Sequence, residues 1–287
     1  MSRVLLTGTT GLVGQSLSRS LAATNHDVIG VSRAVAASPP ASTLQIDLAG
    51  PWTRQQLPER IDVVVHLAQS DRWQSVDGAL DMFAVNTAST LRLLDYAANA
   101  GATHFVLASS GGLYGSSDTP VSESSAVRFG EGALRCYFET KRAAENFAQV
   151  YQDRMAVSIL RPFFIYGSGQ RVPKLVPRLI QDVKSGQPIR IKGETGPALN
   201  PVHVDDVVRV IEACLTQAHR GVVNVAGGQV TSIRAMSARI AQLLAVTATF
   251  QQEPGAVESF VADTSLMERL LGRAPIGFDE GIRSVLS

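Results

Sequence analysis

Arg3-Val-Leu-Leu-Thr7-Gly8-Thr-Thr-Gly11-Leu-Val-Gly14 decides the fold. An apolar run passes straight into three glycines spaced three apart, and a helical pattern then continues to about residue 23. Glycines placed this way let the chain turn tightly, let backbone N–H groups approach an anion and let the helix pack on the strand. The positive end of the helix favours negative charge there. Between a strand and a helix, the turn reads as a dinucleotide site, with Gly8, Thr10, Gly11, Leu12, Val13 and Gly14 facing a pyrophosphate.

Outward from this turn, short apolar runs alternate with longer helical patterns. Strands are predicted at Val4 to Thr7, Asp27 to Ser32, Thr43 to Ile46, Asp62 to His66, Phe105 to Ser109, Val157 to Arg161 and Val222 to Val225. Helices are predicted at about 11 to 23, 78 to 100, 135 to 152 and 205 to 218, the last capped by Asp205 or Asp206. This alternation predicts an α/β chain of the Rossmann type, a doubly wound parallel sheet with a smaller C-terminal substrate lobe. Residues 1–165 with about 200–228 form the expected dinucleotide domain, and about 166–199 with 229–287 the lobe. Pro173, Pro177, Pro188, Pro197 and Pro201 break the pattern of the lobe repeatedly. Ala34 to Ser42 and Ser116 to Ala133 read as surface loops.

With 287 residues, 45% apolar and 18% charged content, the chain can bury a substantial core unaided. A formal charge of +1 and the absence of a basic cluster argue against nucleic acid as a partner. No apolar run approaches the roughly 18 residues of a membrane span, and strand-like sequence begins at residue 3, so a cytoplasmic protein without a membrane partner is expected. Cys136 and Cys214 are too few for a disulfide framework and read as buried thiols. The five His lack ligand spacing, so no metal is expected.

The second strand ends Ser32-Arg33, where an acid would usually meet the ribose 2′-hydroxyl of NAD. Arg33 offers a bidentate partner to a 2′-phosphate, which favours NADP over NAD; the competing reading is a solvated loop arginine. Asp47-Leu48 closes the third strand, placed to meet the adenine, and His66-Leu67-Ala68-Gln69 closes the fourth, placed to line the nucleotide cleft. Strand five ends Ala108-Ser109-Ser110-Gly111, bringing hydroxyls to the ligand edge of the sheet.

Tyr137 and Lys141, in Cys136-Tyr-Phe-Glu-Thr-Lys-Arg-Ala-Ala-Glu145, stack one turn apart on a helix. An ammonium there, beside the positive ring of an oxidised nicotinamide, pulls the phenol down from about 10 and makes Tyr137 a candidate general base. The alternative is a tyrosine packed in a helix interface.

Together with His66-Leu-Ala, Asn86, Ser109-Ser110, Tyr114-Gly115, Arg161-Pro162, Val202-His-Val-Asp205-Asp206-Val and the tail Ala262-Asp263-Thr-Ser-Leu266, these motifs resemble the extended short-chain dehydrogenase/reductase family of nucleotide-sugar epimerases and dehydratases. The resemblance spans nearly the whole chain. It implies that Ser110 hydrogen-bonds the substrate oxygen, that Tyr137 takes its proton and that Lys141 binds the cofactor ribose, with Asn86 supporting the lysine through water. It also implies cofactor contacts from Ala108, Ser109, Pro162 and Phe163, and substrate contacts from Gly111, Tyr114 and Phe164, with Glu123 beside Tyr114 at the pocket mouth. Many relatives form a homodimer through helices that here lie near 80 to 100 and 136 to 151, where Leu91, Leu94, Phe147 and Val150 would permit it, with core packing as the competing account.

Two departures bear on the substrate. Phe164 stands where members acting on UDP-hexoses carry an Asn for the diphosphate, and Ala198-Leu-Asn200-Pro-Val-His203 lacks their arginine. Arg171, Lys174 and Arg178 are candidate replacement anchors, with solvated loop cations as the alternative. The expected activity is an NAD(P)-dependent nucleotide-sugar epimerase or dehydratase. A reductase using NADPH on a keto sugar or other carbonyl is the first alternative, and a non-catalytic dinucleotide sensor the second.

Overall fold

A computed structural model describes residues 2–34, 42–129 and 132–286. Residues 35–41 of the expected loop at Ala34 to Ser42, and 130–131 of that at Ser116 to Ala133, lie outside the described residues. The strands are β1 (Arg3–Thr7), β2 (Asp27–Ser32), β3 (Ser42–Gln45), β4 (Val63–His66), β5 (His104–Ala108), β6 (Ala156–Pro162), β7 (Ile189–Lys192), β8 (Ala198–Leu199), β9 (Gly221–Val225), β10 (Thr231–Ser232) and β11 (Phe250–Glu253). The helices are α1 (Leu12–Ala23), α2 (Ala79–Met82), α3 (Ser89–Asn99), α4 (Arg135–Val150), α5 (Leu175–Lys184), α6 (Val204–Gln217), α7 (Ile233–Leu244), α8 (Ser265–Leu271) and α9 (Phe278–Leu286).

Seven strands form one sheet in the order β3-β2-β1-β4-β5-β6-β9, with parallel pairing from β3 through to β6. The reversal of order at β1, with β2 on one side and β4 on the other, creates the crevice at the carboxyl ends where ligands bind in Rossmann sheets. Leu5, Val64, Phe105, Leu107, Val157 and Ile159 are almost wholly buried and join Leu93, Leu94, Ala144 and Ala148 of α3 and α4 in one core. Strands with uniformly buried runs, such as Val63–His66, are those a parallel sheet covered on both faces requires.

The long helix expected at 78 to 100 is three pieces: α2, a π-helical turn over Phe83–Ala88, and α3. The π turn carries Asn86, and such turns recur at functional sites. The cap expected from Asp205 or Asp206 on α6 is not made. Asp206 instead accepts the Ile276 N–H at 2.5 Å, and the Asp205 N–H meets His203 Nδ1 at 3.3 Å.

The chain divides into two units. The first comprises Met1–Leu113, Arg128–Arg161 and Val208–Val223; the second comprises Tyr114–Val127, Pro162–Val207 and Asn224–Ser287. Tyr114–Val127 and residues 162–165, 200–207 and 224–228 thus fall in the second unit, outside the division expected from sequence. Asn224 explains part of this: its side chain takes the Tyr114 hydroxyl at 2.8 Å and donates to the Val121 carbonyl at 2.9 Å, while its N–H reaches Glu123 at 2.9 Å. The second unit has its own core around Tyr166, Leu179, Ile189, Ile191, Met236, Ile240 and Phe278. Two small sheets, β7 with β11 in parallel and β8 with β10 antiparallel, complete it. Among the described residues no helix is long and apolar enough to cross a membrane.

Candidate functional site

The glycine turn is built as its sequence requires. Gly8 adopts φ +73°, and a Cβ there would lie 2.8 Å from the Ala68 nitrogen. A Cβ on Gly14 would fall 2.2 Å from the Gly8 carbonyl oxygen. Glycine is therefore required at both positions to close the turn against β4 and α1. Gly11 begins α1, and no side chain caps the helix, which leaves its first N–H groups facing outward. Thr10 and Gly11 are exposed, and Leu12 and Val13 half-buried. These residues fit a dinucleotide pyrophosphate.

Behind the turn runs a directed chain of hydrogen bonds. The Ala68 N–H donates to Thr7 Oγ1 (3.1 Å), which donates to His66 Nδ1 (2.7 Å); His66 Nε2 donates to Thr90 Oγ1 (3.0 Å), which donates to the Asn86 carbonyl (2.7 Å). The single Thr90 proton goes to the Asn86 carbonyl, so Thr90 Oγ1 must accept from His66 Nε2, and His66 is the Nε2–H tautomer. Burial, with Lys141 nearby, pushes its pKa down to about 3, and it stays neutral.

At the end of β2, Ser32 turns its hydroxyl to the Ala34 carbonyl (2.5 Å), and Arg33 pairs with Asp71 at 2.9 Å. The hydrogen bond from Arg33 holds the Asp71 carboxyl below its usual value. Asp47 is exposed and accepts the Ala49 N–H at 3.0 Å, whereas Leu48 is buried in the sheet core. The Leu48 side chain is therefore committed to packing. Leu67 and Ala68 are half-buried and Gln69 is exposed.

Ser110, Tyr137 and Lys141 come together in the first unit. The Ser110 hydroxyl is hydrogen-bonded to the Tyr137 phenol, which also donates to Gln69 Oε1 at 3.3 Å. Ser110 Oγ in turn accepts the Gly112 N–H at 3.2 Å, an arrangement that holds Gly111 and Gly112 in a tight turn after β5. Burial pushes Tyr137 up to about 12, and the Ser110 bond lowers it only in part. The lowering expected from sequence needs an oxidised nicotinamide beside the ammonium. Lys141 donates to the Ala108 carbonyl at 2.8 Å, with Nζ 6.0 Å from the Tyr137 ring centre. Burial lowers Lys141 to about 8, opposed by Glu145.

Asn86 is buried. Its Oδ1 accepts the Ser70 N–H (2.9 Å) and its Nδ2 donates to Thr140 Oγ1 (3.0 Å), so it steadies α4 one residue before Lys141. Sequence reading also passed over Glu145 as a functional residue. It is wholly buried and receives Ser109 Oγ at 2.6 Å, Arg161 Nε at 2.9 Å and Arg161 Nη2 at 2.6 Å. The repeat Tyr137, Lys141, Glu145, each four residues on, was the available signal. Cys136 is half-buried and Cys214 buried; both are free thiols.

Tyr114, expected at substrate, is 3% exposed: its hydroxyl is taken by Asn224 and its ring stacks on buried Phe163, 6.2 Å between centres. It braces the second unit, as do Phe163 and Glu123. Pro162 is half-buried at the end of β6. Phe164 holds φ +45°, is 37% exposed and meets Phe260 edge-on at 6.1 Å. These two rings line a cavity of about 710 Å³ in the second unit, together with Arg178, Arg190 and Lys192. Arg171 and Lys174 lie exposed in the segment before α5, and the cations on this cavity include Arg178 but neither of them.

The family model of the NAD dependent epimerase/dehydratase family matches residues 4–226. Among curated relatives, a protein named "Uncharacterized UDP-glucose epimerase YtcB" from Bacillus subtilis (strain 168) is 27% identical over 258 residues, covering 80% of this chain and 78% of its own. Among solved structures, MoeE5 in complex with UDP-glucose and NAD is 29% identical, with a TM-score of 0.86 over 99% of this chain and 97% of that one. TunA, an NAD dependent NDP-hexosamine 5,6-dehydratase involved in tunicamycin biosynthesis, is 28% identical, with a TM-score of 0.83 over 100% of this chain and 97% of that one. With a family match from β1 to the residue after β9, a seven-stranded Rossmann sheet and the glycine turn and tyrosine–lysine pair in place, this chain belongs to the NAD dependent epimerase/dehydratase family.

Proposed function

We propose that this protein epimerises or dehydrates a nucleotide-activated sugar through hydride transfer at a sugar carbinol. The observation that carries the reading is the hydrogen bond between Ser110, at the end of β5, and Tyr137 of α4, with Lys141 one helical turn away. When bound, NAD(P) supplies the hydride acceptor. Ser110 then orients the substrate hydroxyl, and Tyr137 removes its proton as the carbon gives up hydride. A phenol near 12 is a poor store for that role until a cation favours its ionised form. Lys141, near 8, is mostly protonated at neutral pH and supplies one. The first unit is the dinucleotide unit and the second the substrate unit. In the second, Arg178, Arg190 and Lys192 offer cations to a diphosphate, and Phe164 and Phe260 offer apolar faces to a base. A panel of nucleotide sugars incubated with cofactor-loaded protein tests the reading: an epimeric or dehydrated product supports it, and no product from any sugar overturns it.

NADP is favoured over NAD because β2 ends in Ser32-Arg33 with no acid to meet a 2′-hydroxyl. The Arg33–Asp71 pair is open to exchange, since its side chains are 62% and 66% exposed and pairs of that kind contribute about 0–1 kcal/mol. Replacing Arg33 by Ala is expected to weaken NADP about tenfold and NAD much less, as measured by calorimetric titration. Equal weakening of both would remove the 2′-phosphate reading. Arg33 also favours a second reading, an NADPH-dependent reductase of a keto sugar. Net consumption of NADPH during turnover distinguishes it, because an epimerase returns its hydride.

A homodimer is the assembly we infer. Val76, Leu80, Phe83, Phe147 and Val150 are exposed by 38–87%, on the α2 segment and on α4, which pack side by side. Leu94, expected at this surface, is instead wholly buried in the core. Leu80→Lys with Val150→Lys is expected to leave a folded monomer in sedimentation; an unchanged mass against that of the parent dimer would place the interface elsewhere.

A further inference from the structure

We propose that Glu145 is a positioning residue of the reaction, holding the serine that precedes Ser110 against the helix that carries Tyr137 and Lys141. The proposal rests on the hydride-transfer reading above. Glu145 lies two turns beyond Tyr137 on α4 and is wholly buried. Its carboxylate joins three elements: Ser109, just past β5, through Oγ at 2.6 Å; Arg161, near the end of β6, through Nε at 2.9 Å and Nη2 at 2.6 Å; and its own helix through a longer contact from Arg142 at 3.4 Å. A bidentate pair fixes direction as well as distance.

Stability alone does not account for such a group. Buried ion pairs are often matched or bettered by well-packed apolar residues, so the pair adds geometry that packing would not set. Ser109 sits between the two contacts that matter to the chemistry. The carbonyl of Ala108 accepts Lys141 at 2.8 Å, and the hydroxyl of Ser110 bonds the Tyr137 phenol. Fixing Ser109 to Glu145 therefore fixes the peptide units on both sides of it. The carboxylate also bears on Lys141 electrostatically, raising an ammonium that burial lowers to about 8. The other groups facing Lys141 are Tyr137 on the same helix and neutral His66 at the end of β4, with Arg161 of β6 neutralised by Glu145 itself.

Two variants test this in the full-length, cofactor-loaded protein. Ser109→Ala removes one bond and leaves the Glu145–Arg161 pair intact; kcat is expected to fall about tenfold with KM for the sugar little changed. Glu145→Gln removes the charge. The chain has four lysines, at 141, 174, 184 and 192, so NMR of labelled lysine resolves Lys141 directly. Its titration midpoint is expected to drop by about one pH unit in Glu145→Gln. If that variant does not fold with Arg161 unpaired, Glu145→Gln with Arg161→Met removes both charges, and the Lys141 midpoint is expected to drop there too, by less, because a neighbouring positive charge is lost with the carboxylate. A parental kcat in Ser109→Ala, or a parental Lys141 midpoint once Glu145 is gone, would overturn the proposal. Failure of the parent to reduce nicotinamide with any sugar would instead strike the hydride-transfer reading, and the lysine titration would still decide the part played by Glu145.

Discussion

Tyr137→Phe is expected to lose turnover by about 10²–10⁴-fold while binding cofactor as the parent does. The phenylalanine keeps the ring and its packing against Trp73 and Phe138, whose centres lie 6.2 Å and 5.3 Å away. It loses only the oxygen that bonds Ser110 and Gln69. The loss should therefore fall on kcat, with little change in KM, as for a group that acts in the transition state. Titration calorimetry with the dinucleotide, beside steady-state kinetics on the sugar, separates the two. Near-parental turnover would mean that another group takes the proton.

Gly14→Ala is expected to cost dinucleotide affinity on the order of 100-fold, with destabilisation of about 1–3 kcal/mol. The added methyl would meet the Gly8 oxygen at 2.2 Å and the Gly8 carbon and Thr9 Cα at 2.9 Å. All three are backbone atoms, so no side chain can swing aside. The turn must open, and Gly8, held at φ +73° against the Ala68 nitrogen, has no slack to offer. Opening it would move the N–H groups of Leu12 and Val13 away from the proposed pyrophosphate position. Thermal unfolding and calorimetric titration of the folded variant measure the two effects; parental affinity would show that the pyrophosphate binds elsewhere.

The first unit was legible because its signals are local. Each predicted strand from Val4 to Val225 lies within a residue or two of an observed one, and the glycine turn and the Tyr137–Lys141 spacing need no distant partner to be read. The second unit was not. Pro177 looked like a break, yet it is the third residue of α5, where the missing N–H would be unpaired in any case. The two-residue strands Ala198–Leu199 and Thr231–Ser232 are too short to carry a period. Tyr114 was read as a substrate contact because its partner, Asn224, stands 110 residues away. The bond from Asn86 to Thr140, 54 residues on, is likewise invisible to local pattern. Burial, which raises the Tyr137 phenol before any cofactor charge is added, is a property of the packed site and not of the spacing.

Transient oxidation of the sugar is the central step of the proposed reaction, and rapid mixing observes it directly. Cofactor-loaded protein mixed with a nucleotide sugar it converts should show the near-ultraviolet absorbance of reduced nicotinamide rise and then return to its starting value, with no rise in Tyr137→Phe. Conversion of the sugar with no transient reduction, or the same transient in Tyr137→Phe, would contradict it.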